Sequence, residues 1–554
     1  MQKINKFEPW DKIHSLQIIP NQMSKNTLSQ PPEIATPPTP APCKKIALIQ
    51  PIIKDGNSLG IQKSPTGIQS LAGQFIKTPH EVRLFHSEEG VALDKSLAEF
   101  TPDIVGISTM TPSFPAGRRI AQTVKATRKD IVIILGGWHA SGCVAAYNKG
   151  QETESLGEIL REDSPFDYVF SGEGELALPE IVDKIARGES ITEIPGIGFR
   201  DTEGIRLNTA HRIRDLNVLE DPSWEGLNHN IYRDKRTRNL DLSVHAKRAC
   251  RFNCGFCSTP TVYGRGISSF TPSRAIEYIL KLISEKSPEV ITFTDEDFFA
   301  NMKWVEELVT IMEERGFGET VKVDIDTFAS INDLLRMDEE LLKRMKKVGF
   351  GSFTIGIESF NAKTLKKYNK EPMIRAMLTS EQKESGRDLS DLYFECAQKA
   401  IDKAQRNGIL VCGDYIIGNF GESREEVLEG FAKFSELKGL LIAYIPLFTP
   451  FPGTALWKEA YESGKIKRLP NGDMDWESFN ASFGAFTTEY GDMEKFRDEL
   501  ELRFYTSVRY ISDMLEAIKT RPELLPMFEG RFSRFREVFA NNQPPQNSPG
   551  CQLK

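Results

Sequence analysis

Three cysteines lie close together in the middle of the chain, and no other pattern in the sequence is as well suited to chemistry. Cys250, Cys254 and Cys257 follow one another at spacings of four and three, in a chain of 554 residues that contains only eight cysteines. Such a spacing rarely arises by chance, and thiolates on one short loop can converge on a metal centre. The remaining cysteines are scattered, which fits a reducing compartment.

The number of thiolates bears on the kind of centre. A closed structural zinc site needs four ligands, and the sequence offers no second cysteine or histidine pair at zinc-ligand spacing downstream. Iron–sulfur clusters also take cysteine thiolates, usually four. With three, one iron keeps an open position that a cofactor or substrate can occupy. The alternative is a buried trio of unrelated cysteines, but cores seldom place them on a loop that also carries Arg251 and Asn253.

This cysteine loop, with the aromatic Phe256 before its third cysteine, resembles the cluster loop of the radical S-adenosylmethionine (radical SAM) enzymes. The resemblance implies a [4Fe–4S] cluster held by Cys250, Cys254 and Cys257. It also implies that S-adenosylmethionine chelates the open iron through its amino and carboxylate groups. An electron from the cluster then cleaves the cofactor to a 5′-deoxyadenosyl radical.

Composition limits the class of protein. Hydrophobic residues make up 40% and charged residues 27% of the chain, as in soluble globular proteins. The length predicts two or three domains. A net charge of −8 argues against nucleic acid as a partner. No apolar run has the length of a membrane span, and the N-terminus has no secretory apolar region. We therefore expect a cytoplasmic protein.

Residues 44–195 alternate short apolar strands with helices, which predicts a doubly wound, Rossmann-like parallel sheet with helices on both faces. Ligands of such sheets bind at the carboxyl ends of the strands. Small or polar residues cluster at three of these ends, where they would let a bulky ligand approach the backbone. They are Ser108, Thr109 and Thr111 after the third strand, Gly136, Gly137 and His139 after the fourth, and Gly172, Glu173 and Gly174 after the fifth.

This succession resembles the cobalamin-binding domain that precedes many radical SAM domains, which implies that these nine residues bind cobalamin. The chain departs from the family in one respect. Many cobalamin domains carry a cobalt-ligating histidine after the first strand, and here Asn57 stands at that place, two residues after Asp55. His139 is a rival ligand, although a histidine on a loop is more often a surface or capping residue.

Residues 239–455 repeat a strand and a helix six times, which predicts a partial (β/α)6 barrel with its site at the carboxyl ends of the strands. Radical SAM domains have this architecture. The resemblance implies that strand-end residues bind S-adenosylmethionine, its amino group at the second strand and its nucleoside, or the substrate, at the fourth. For each acidic residue the alternative is a solvated loop or a helix cap. The predicted residues are Phe256, Thr294, Asp295, Glu296, Asp297, Glu358 and Gly418.

The remaining segments frame these two domains. Residues 1–43 are predicted to be a disordered, proline-rich leader, 196–238 a connector, 456–540 a helical C-terminal domain and 541–554 a disordered tail. Residues 370–391 are highly charged and interrupt the barrel pattern, so we predict an inserted loop, either solvated or a lid over the substrate. Tyr263 and Arg265, shortly after the cysteines, are further candidates for the site.

Together these features predict a cobalamin-dependent radical SAM enzyme that methylates an unactivated carbon of a small molecule or natural product. One S-adenosylmethionine yields the radical, and another remethylates the cobalt. An external electron donor such as a flavodoxin or ferredoxin is expected. Two alternatives stay open: a non-methylating radical reaction with the same cofactors, such as an oxidative cyclisation or ring rearrangement, and a cobalamin- or redox-sensing binding protein.

Overall fold

Two β-sheets, each built mainly of parallel strands, organise the part of the chain that the computed structural model describes. That part covers residues 41–52 and 62–529, apart from 236, 483, 487–490 and 527. The predictions for most of the leader, for the segment 55–60 that contains Asn57 and for the tail 541–554 fall outside the described residues. The boundaries between the predicted domains stay predictions.

The first sheet has seven strands, in the order β2-β1-β3-β4-β5-β6-β7. Its first five strands pair in parallel and its last two pair antiparallel. The strands are β1 (Lys45–Pro51), β2 (Glu81–Ser87), β3 (Ile104–Ser108), β4 (Val132–Gly136), β5 (Tyr168–Phe170), β6 (Ile197–Asp201) and β7 (Gly204–Leu207). The predicted Rossmann-like fold is confirmed, and the antiparallel hairpin β6–β7 extends it into the segment that the sequence predicted to be a connector.

Six helices accompany this sheet, of which the sequence predicted three. They are α1 (Thr66–Gly73), α2 (Val91–Phe100), α3 (Phe114–Thr127), α4 (Gly137–Asn148), α5 (Glu154–Ile159) and α6 (Ala177–Ala186). Helix α4 replaces the loop that we expected after the fourth strand. It is buried on nearly all sides from His139 to Ala146. Because such a helix has no polar face, its sequence shows none of the helical periodicity on which the prediction depended.

The second sheet consists of six parallel strands in the order β15-β14-β13-β12-β11-β8. Its strands are β8 (Asp241–Val244), β11 (Val290–Phe293), β12 (Asp324–Ala329), β13 (Phe350–Glu358), β14 (Leu410–Tyr415) and β15 (Ile442–Tyr444). A separate antiparallel ribbon joins β9 (Lys247–Arg248) to β10 (Ser268–Ser269). The predicted partial barrel of six βα units is confirmed, since all six strands run in one direction.

Helices cover the outside of the barrel and continue into the C-terminal region. The barrel helices are α7 (Thr259–Tyr263), α8 (Pro272–Lys286), α9 (Met302–Glu314), α10 (Ile331–Arg336), α11 (Glu339–Lys347), α12 (Ala362–Lys367), α13 (Glu371–Met377), α14 (Ser380–Glu384), α15 (Leu389–Arg406) and α16 (Arg424–Glu436). Those of the C-terminal region are α17 (Trp457–Glu462), α18 (Met493–Tyr505) and α19 (Val508–Thr520). No helix among the described residues is long and apolar enough to cross a membrane.

The segment 370–391 is not a loop. It forms α13 and α14 and then enters α15, and it buries Ile374 and Leu378 against the barrel. The prediction of an inserted loop was therefore wrong in its local structure. Charged residues dominate the exposed faces of these short helices. Two apolar residues among so many charges give too weak a helical period to predict the helices.

The C-terminal region lies against the first sheet and its helices as well as the barrel. The indole of Trp457 donates a hydrogen bond to Glu152 over 3.3 Å, and the indole of Trp476 donates to Glu158 over 2.7 Å. The hydroxyl of Tyr461 donates to Glu154 over 2.8 Å. These contacts tie helix α5 and the residue Glu152 before it to the chain that follows the barrel.

Candidate functional site

A cavity of about 330 Å³ lies between the carboxyl ends of the two sets of strands. From the first sheet it is lined by the predicted residues Ser108, Gly137, Gly172, Glu173 and Gly174. From the barrel it is lined by the predicted residues Thr294 and Glu296, together with Tyr263 and His245. The structure therefore brings part of each predicted cofactor site to one shared space.

Two glycines leave bare backbone on the first-sheet side of this cavity. Gly137 has φ +92°, and a Cβ atom there would lie 2.7 Å from both the backbone nitrogen and the oxygen of Thr109. Gly172 has φ +86°, and a Cβ atom there would lie 2.9 Å from the Cβ of Ala210. The hydroxyl of Thr109 is buried and has no hydrogen-bond partner among the described residues. Bare backbone at the end of a parallel strand suits a bulky, largely uncharged ligand.

His139 is not brought to the cavity. It is wholly buried, its ring stacks on Phe114 at 4.3 Å between centroids, and Trp476 lies edge-on at 4.8 Å. Burial lowers the pKa of His139 to about 3, so the imidazole is neutral in the core. Thr109, Thr111 and Gly136 also lie outside the lining, although Thr109 packs directly beneath Gly137.

The three cysteines lie on a half-buried loop between β9 and α7 and carry free thiols. Burial raises the pKa of Cys254 to about 11, and it also raises the pKa of Cys250 and of Cys257. The thiols raise the pKa of one another as well, since Cys257 contributes to the shift of both other cysteines. A bound cation would reverse this effect, because the thiolate is the form that binds metal.

The cysteine loop is anchored by backbone and aromatic contacts. The N–H of Gly255 donates to the carbonyl of Tyr368 over 2.9 Å, and the ring of Phe256 meets Tyr368 edge-on at 4.9 Å. The amide of Asn369 donates to the carbonyl of Asn253 over 2.8 Å. Phe256 therefore holds the loop in place. No described group of three or more His, Cys, Asp or Glu side chains could hold a single metal ion. A cluster does not need one, because its thiolates bind separate irons.

The carboxylates after β11 have three different environments. Asp295 is buried and accepts from the N–H of Ala246 over 3.2 Å, but its Oδ1 has no partner among the described residues, and burial raises its pKa to about 6. Glu296 reaches the cavity and lies 3.2 Å from His245 Nε2. Asp297 accepts from the backbone N–H of Arg251 over 3.1 Å and supports the cysteine loop. Glu296 is thus the carboxylate of the three that could accept from an ammonium group in the cavity, whereas Asp295 and Asp297 lie outside its lining.

Glu296 also connects the cavity to the cysteines, because its charge raises the pKa of Cys257. Cys250, Cys254 and Cys257 themselves lie outside the cavity lining. The cysteine loop therefore adjoins the cavity on its barrel side rather than forming its wall.

The end of β13 presents a buried ion pair. Glu358 ends the strand with φ +70° and accepts from Lys370 Nζ over 3.0 Å. Lys370 also donates to the carbonyl of Gly356 over 2.9 Å, and both side chains of the pair are almost fully buried. Burial and the charge of Glu358 raise the pKa of nearby Asp414 to about 8. Gly418 lies in the turn that follows β14, outside the cavity lining.

Sequence reasoning missed several residues of the site. His245, Arg248 and Lys370 carry no motif, because each is recognised only through its partner in another element. Tyr263 lines the cavity, as the sequence suggested, whereas Arg265 is exposed and lies outside the lining. The carboxylate of Glu173 lines the cavity and accepts from Arg248 over 2.8 Å.

Two family descriptions match the chain. Residues 246–432 match the radical SAM superfamily, and residues 56–182 match the B12 binding domain. The first match covers the cysteine loop and most of the barrel, and the second covers much of the first sheet.

Curated relatives resemble the chain at low identity. An uncharacterised methyltransferase of Pyrococcus horikoshii is 26% identical over 455 residues, which is 80% of this chain and 85% of the relative. An anaerobic magnesium-protoporphyrin IX monomethyl ester cyclase of Cereibacter sphaeroides is 27% identical over 382 residues, 68% of this chain and 56% of the relative. The hopanoid C-3 methylase of Methylococcus capsulatus is 24% identical over 408 residues, 72% of this chain and 68% of the relative.

Two solved structures share the fold. OxsB, a cobalamin-dependent S-adenosylmethionine radical enzyme, has a TM-score of 0.60 at 14% identity and covers 88% of this chain and 72% of its own. The methyltransferase TsrM from Kitasatospora setae, solved with cobalamin and a [4Fe–4S] cluster, has a TM-score of 0.56 at 16% identity and covers 77% of this chain and 76% of its own.

Proposed function

The chain belongs to the cobalamin-binding radical SAM proteins, and we propose that it methylates an unactivated carbon of a small-molecule substrate. The observation that carries this proposal is the shared cavity, into which the strand ends of the B12 binding domain and of the barrel both open. Methylation of a substrate carbon would need S-adenosylmethionine and cobalamin to reach the same substrate, and a cavity shared by both sites provides such a place.

The cysteine loop fits a [4Fe–4S] cluster with one open iron. Cys250, Cys254 and Cys257 would be its ligands, and the other cysteines within the folded sheets and helices, Cys143, Cys396 and Cys412, are buried in elements away from this loop. A centre with three protein ligands leaves one coordination position for S-adenosylmethionine. Phe256 would keep the loop in place through Tyr368.

The glycine-rich edge fits cobalamin. Gly137, Gly172 and Gly174 would let the corrin ring approach the backbone, with Ser108 and Glu173 at its margin. His139 would not ligate the cobalt, because its imidazole is packed between Phe114 and Trp476. We therefore propose that the described part of the first sheet holds cobalamin by shape and hydrogen bonds rather than by a histidine–cobalt bond.

S-adenosylmethionine would bind on the barrel side of the cavity. Its ammonium group fits Glu296, which lines the cavity, because carboxylates are its natural hydrogen-bond acceptors. Glu358, which accepts from Lys370 at the end of β13, would also accept from the nucleoside hydroxyls or from the substrate. When bound, the cluster supplies the cleaving electron and methylcobalamin supplies the methyl group. Trp138 and Tyr263 line the same cavity and would exclude water from the radical.

The proposal includes partners that supply the reaction. An external donor such as a flavodoxin or ferredoxin would deliver electrons, and the substrate would be a small molecule or natural product. We place the protein in the cytoplasm, where its free thiols and the proposed cluster would stay reduced.

A non-methylating radical reaction is the second candidate, because one relative is named as a cyclase. The chain covers only 56% of that relative but 85% of the methyltransferase, which favours methylation. A cobalamin- or redox-sensing binding protein, without turnover, is the third.

An experiment that needs no knowledge of the substrate separates the three. The protein is reconstituted without oxygen with iron, sulfide and cobalamin, then given S-adenosylmethionine and a strong reductant. Methylation predicts both 5′-deoxyadenosine and S-adenosylhomocysteine, because the second product marks remethylation of cobalt. A non-methylating enzyme makes only the first product, and a sensor makes neither.

Two cysteine variants connect this result to the site. Cys254→Ala should lower 5′-deoxyadenosine formation at least about 100-fold and lose iron, because a cluster ligand is removed. Cys396→Ala is the matched control, since Cys396 is buried in α15 and should leave both readouts unchanged. Retention of the cluster absorbance and of product by Cys254→Ala would show that the cluster assignment is wrong.

A further inference from the structure

A buried arginine joins the two sides of the cavity. Arg248 is only 7% exposed. One nitrogen of its guanidinium donates to Glu173 Oε1 over 2.8 Å, and the other donates to Glu175 Oε1 over 2.5 Å and to Ser70 Oγ over 3.2 Å. We call these four side chains, Arg248, Glu173, Glu175 and Ser70, the arginine bridge.

The bridge connects elements that belong to different cofactor sites. Arg248 lies on β9, two residues before Cys250, and Ala249 between them has the left-handed φ of +73°. Glu173 and Glu175 lie between β5 and α6, in the stretch whose glycines line the cavity. One guanidinium therefore links the position of β9, just before the cysteine loop, to the position of residues 173–175.

Each carboxylate of the arginine bridge also accepts a hydrogen bond from a second donor. Glu173 Oε2 accepts from the backbone N–H of Ile213 over 2.9 Å, and Ser70 Oγ donates to Glu175 Oε1 over 2.9 Å. Buried charges are costly unless every one is paired. The planar fork of arginine can serve two carboxylates at once in a fixed geometry, which the single ammonium of lysine cannot reproduce.

We propose that Arg248 is a positioning residue that couples the two cofactor sites, so that cobalamin in one site changes the affinity of the other for S-adenosylmethionine. The inference rests on the positions of the cofactors given in the proposed function. Cobalamin would bind against the backbone of residues 172–175 and fix its position. The arginine bridge would in turn fix the position of the cysteine loop. By linkage, S-adenosylmethionine must change the affinity for cobalamin by the same factor.

The experiment measures a thermodynamic cycle on the anaerobically reconstituted full-length protein, without reductant. The affinity for S-adenosylmethionine is measured with and without hydroxocobalamin, and the affinity for hydroxocobalamin with and without S-adenosylmethionine. The wild type should show a change of at least about fivefold, equal in both directions. In Arg248→Lys the factor should fall to about one, while four irons per chain are retained.

Arg344→Lys is the matched control. Arg344 also pairs with a carboxylate, that of Glu313, through three hydrogen bonds of 3.2, 3.1 and 2.7 Å, but it joins two helices on the outside of the barrel. It should keep the wild-type coupling factor. A merely structural arginine predicts that both variants lose stability and that neither loses coupling.

If Arg248→Lys does not fold, Glu175→Gln tests the bridge from the other side, because it removes one charge and keeps the shape. Coupling of wild-type size in either folded variant overturns the proposal. A wild-type factor within twofold of one also overturns it, without any variant. These measurements involve no turnover, so a failure of the proposed methyl transfer is seen separately, in the products of S-adenosylmethionine.

Discussion

The two strand-end edges that face the cavity occupy equivalent places in their sheets but differ in chemistry. The edge of the first sheet exposes bare backbone at Gly137 and Gly172, next to Trp138 and to the carboxylate of Glu173, which is paired with Arg248. The barrel edge carries carboxylates at the ends of two of its strands, Asp295 and Glu296 after β11 and Glu358 at the end of β13, and the buried Lys370 stands beside Glu358. Topology places a site at both edges, whereas the residues decide which ligand each can take.

This difference indicates how one cavity could hold two unlike cofactors. Bare backbone at strand ends accommodates a large ring by shape. An edge of paired charges accommodates the charged amino-acid end of S-adenosylmethionine, provided that every buried charge keeps a partner when the ligand is absent. The barrel edge should therefore depend on its charge pairs for stability, and the first edge should depend on the absence of side chains.

The sharpest test of the charged edge is Lys370→Met. Removing this buried cation leaves the carboxylate of Glu358 uncompensated, and we expect the free energy of unfolding to fall by about 3–5 kcal/mol. Denaturant unfolding of the anaerobic apoprotein measures the change. The double variant Glu358→Gln with Lys370→Met should recover most of the loss, because no charge stays buried alone.

If the double variant is as unstable as Lys370→Met, the loss comes from packing and not from charge. The barrel edge would then not depend on its charge pairs for stability. The contact between Glu358 and Lys370 would be an ordinary packing contact of the core.

Gly137→Ala tests the other edge. The new Cβ would lie 2.7 Å from the backbone of Thr109, and the left-handed φ of Gly137 adds strain. We expect the affinity for cobalamin to fall at least about 100-fold, because the backbone must move where the ring is to approach. The iron content and the unfolding midpoint of the barrel should change much less. Binding is followed by absorbance titration with hydroxocobalamin.

Gly67→Ala is the control for this edge. Gly67 also lines the cavity, from α1, but a Cβ atom there would meet nothing within 4 Å. It should bind cobalamin as the wild type does. An equal loss in both variants, or none in Gly137→Ala, would mean that close approach to the backbone is not how this edge works.

Much of the fold could be predicted from the sequence, because both sheets follow from short apolar runs that are local in the chain. The assignment of a cluster to Cys250, Cys254 and Cys257 depends on an equally local spacing and stays a prediction. Helix α4 could not be predicted, because burial on all sides removes its period. The roles of Lys370 and Arg248 were missed because each depends on a partner in another element. Lys370 pairs with Glu358 at the end of β13, and Arg248 pairs with Glu173 of the first sheet.

The residue type of His139 did not reveal that its ring is buried. A histidine near a strand end was a candidate ligand, but the structure encloses its ring between Phe114 and Trp476. Only the packing of the C-terminal region against the first sheet reveals this, since Trp476 is more than 300 residues away in the chain. Periodicity and motifs do not record such contacts.

The smallest expected effect is that of His139→Phe, which should keep the affinity for cobalamin within about threefold, because no histidine–cobalt bond is lost.

The clearest consequence of His139→Phe is a change in stability at acid pH. Burial lowers the pKa of His139 to about 3, so the unfolded chain takes up the proton first as the pH falls below the ordinary pKa of about 6.5. The wild type should lose about 2 kcal/mol through this group between pH 7 and pH 5, and the variant should not. Thermal unfolding at both pH values measures the difference. Replacing the exposed His211 with glutamine is the control and should leave the pH dependence unchanged. A large loss of cobalamin binding in His139→Phe would instead restore the imidazole as a cobalt ligand and require the first edge to open on binding.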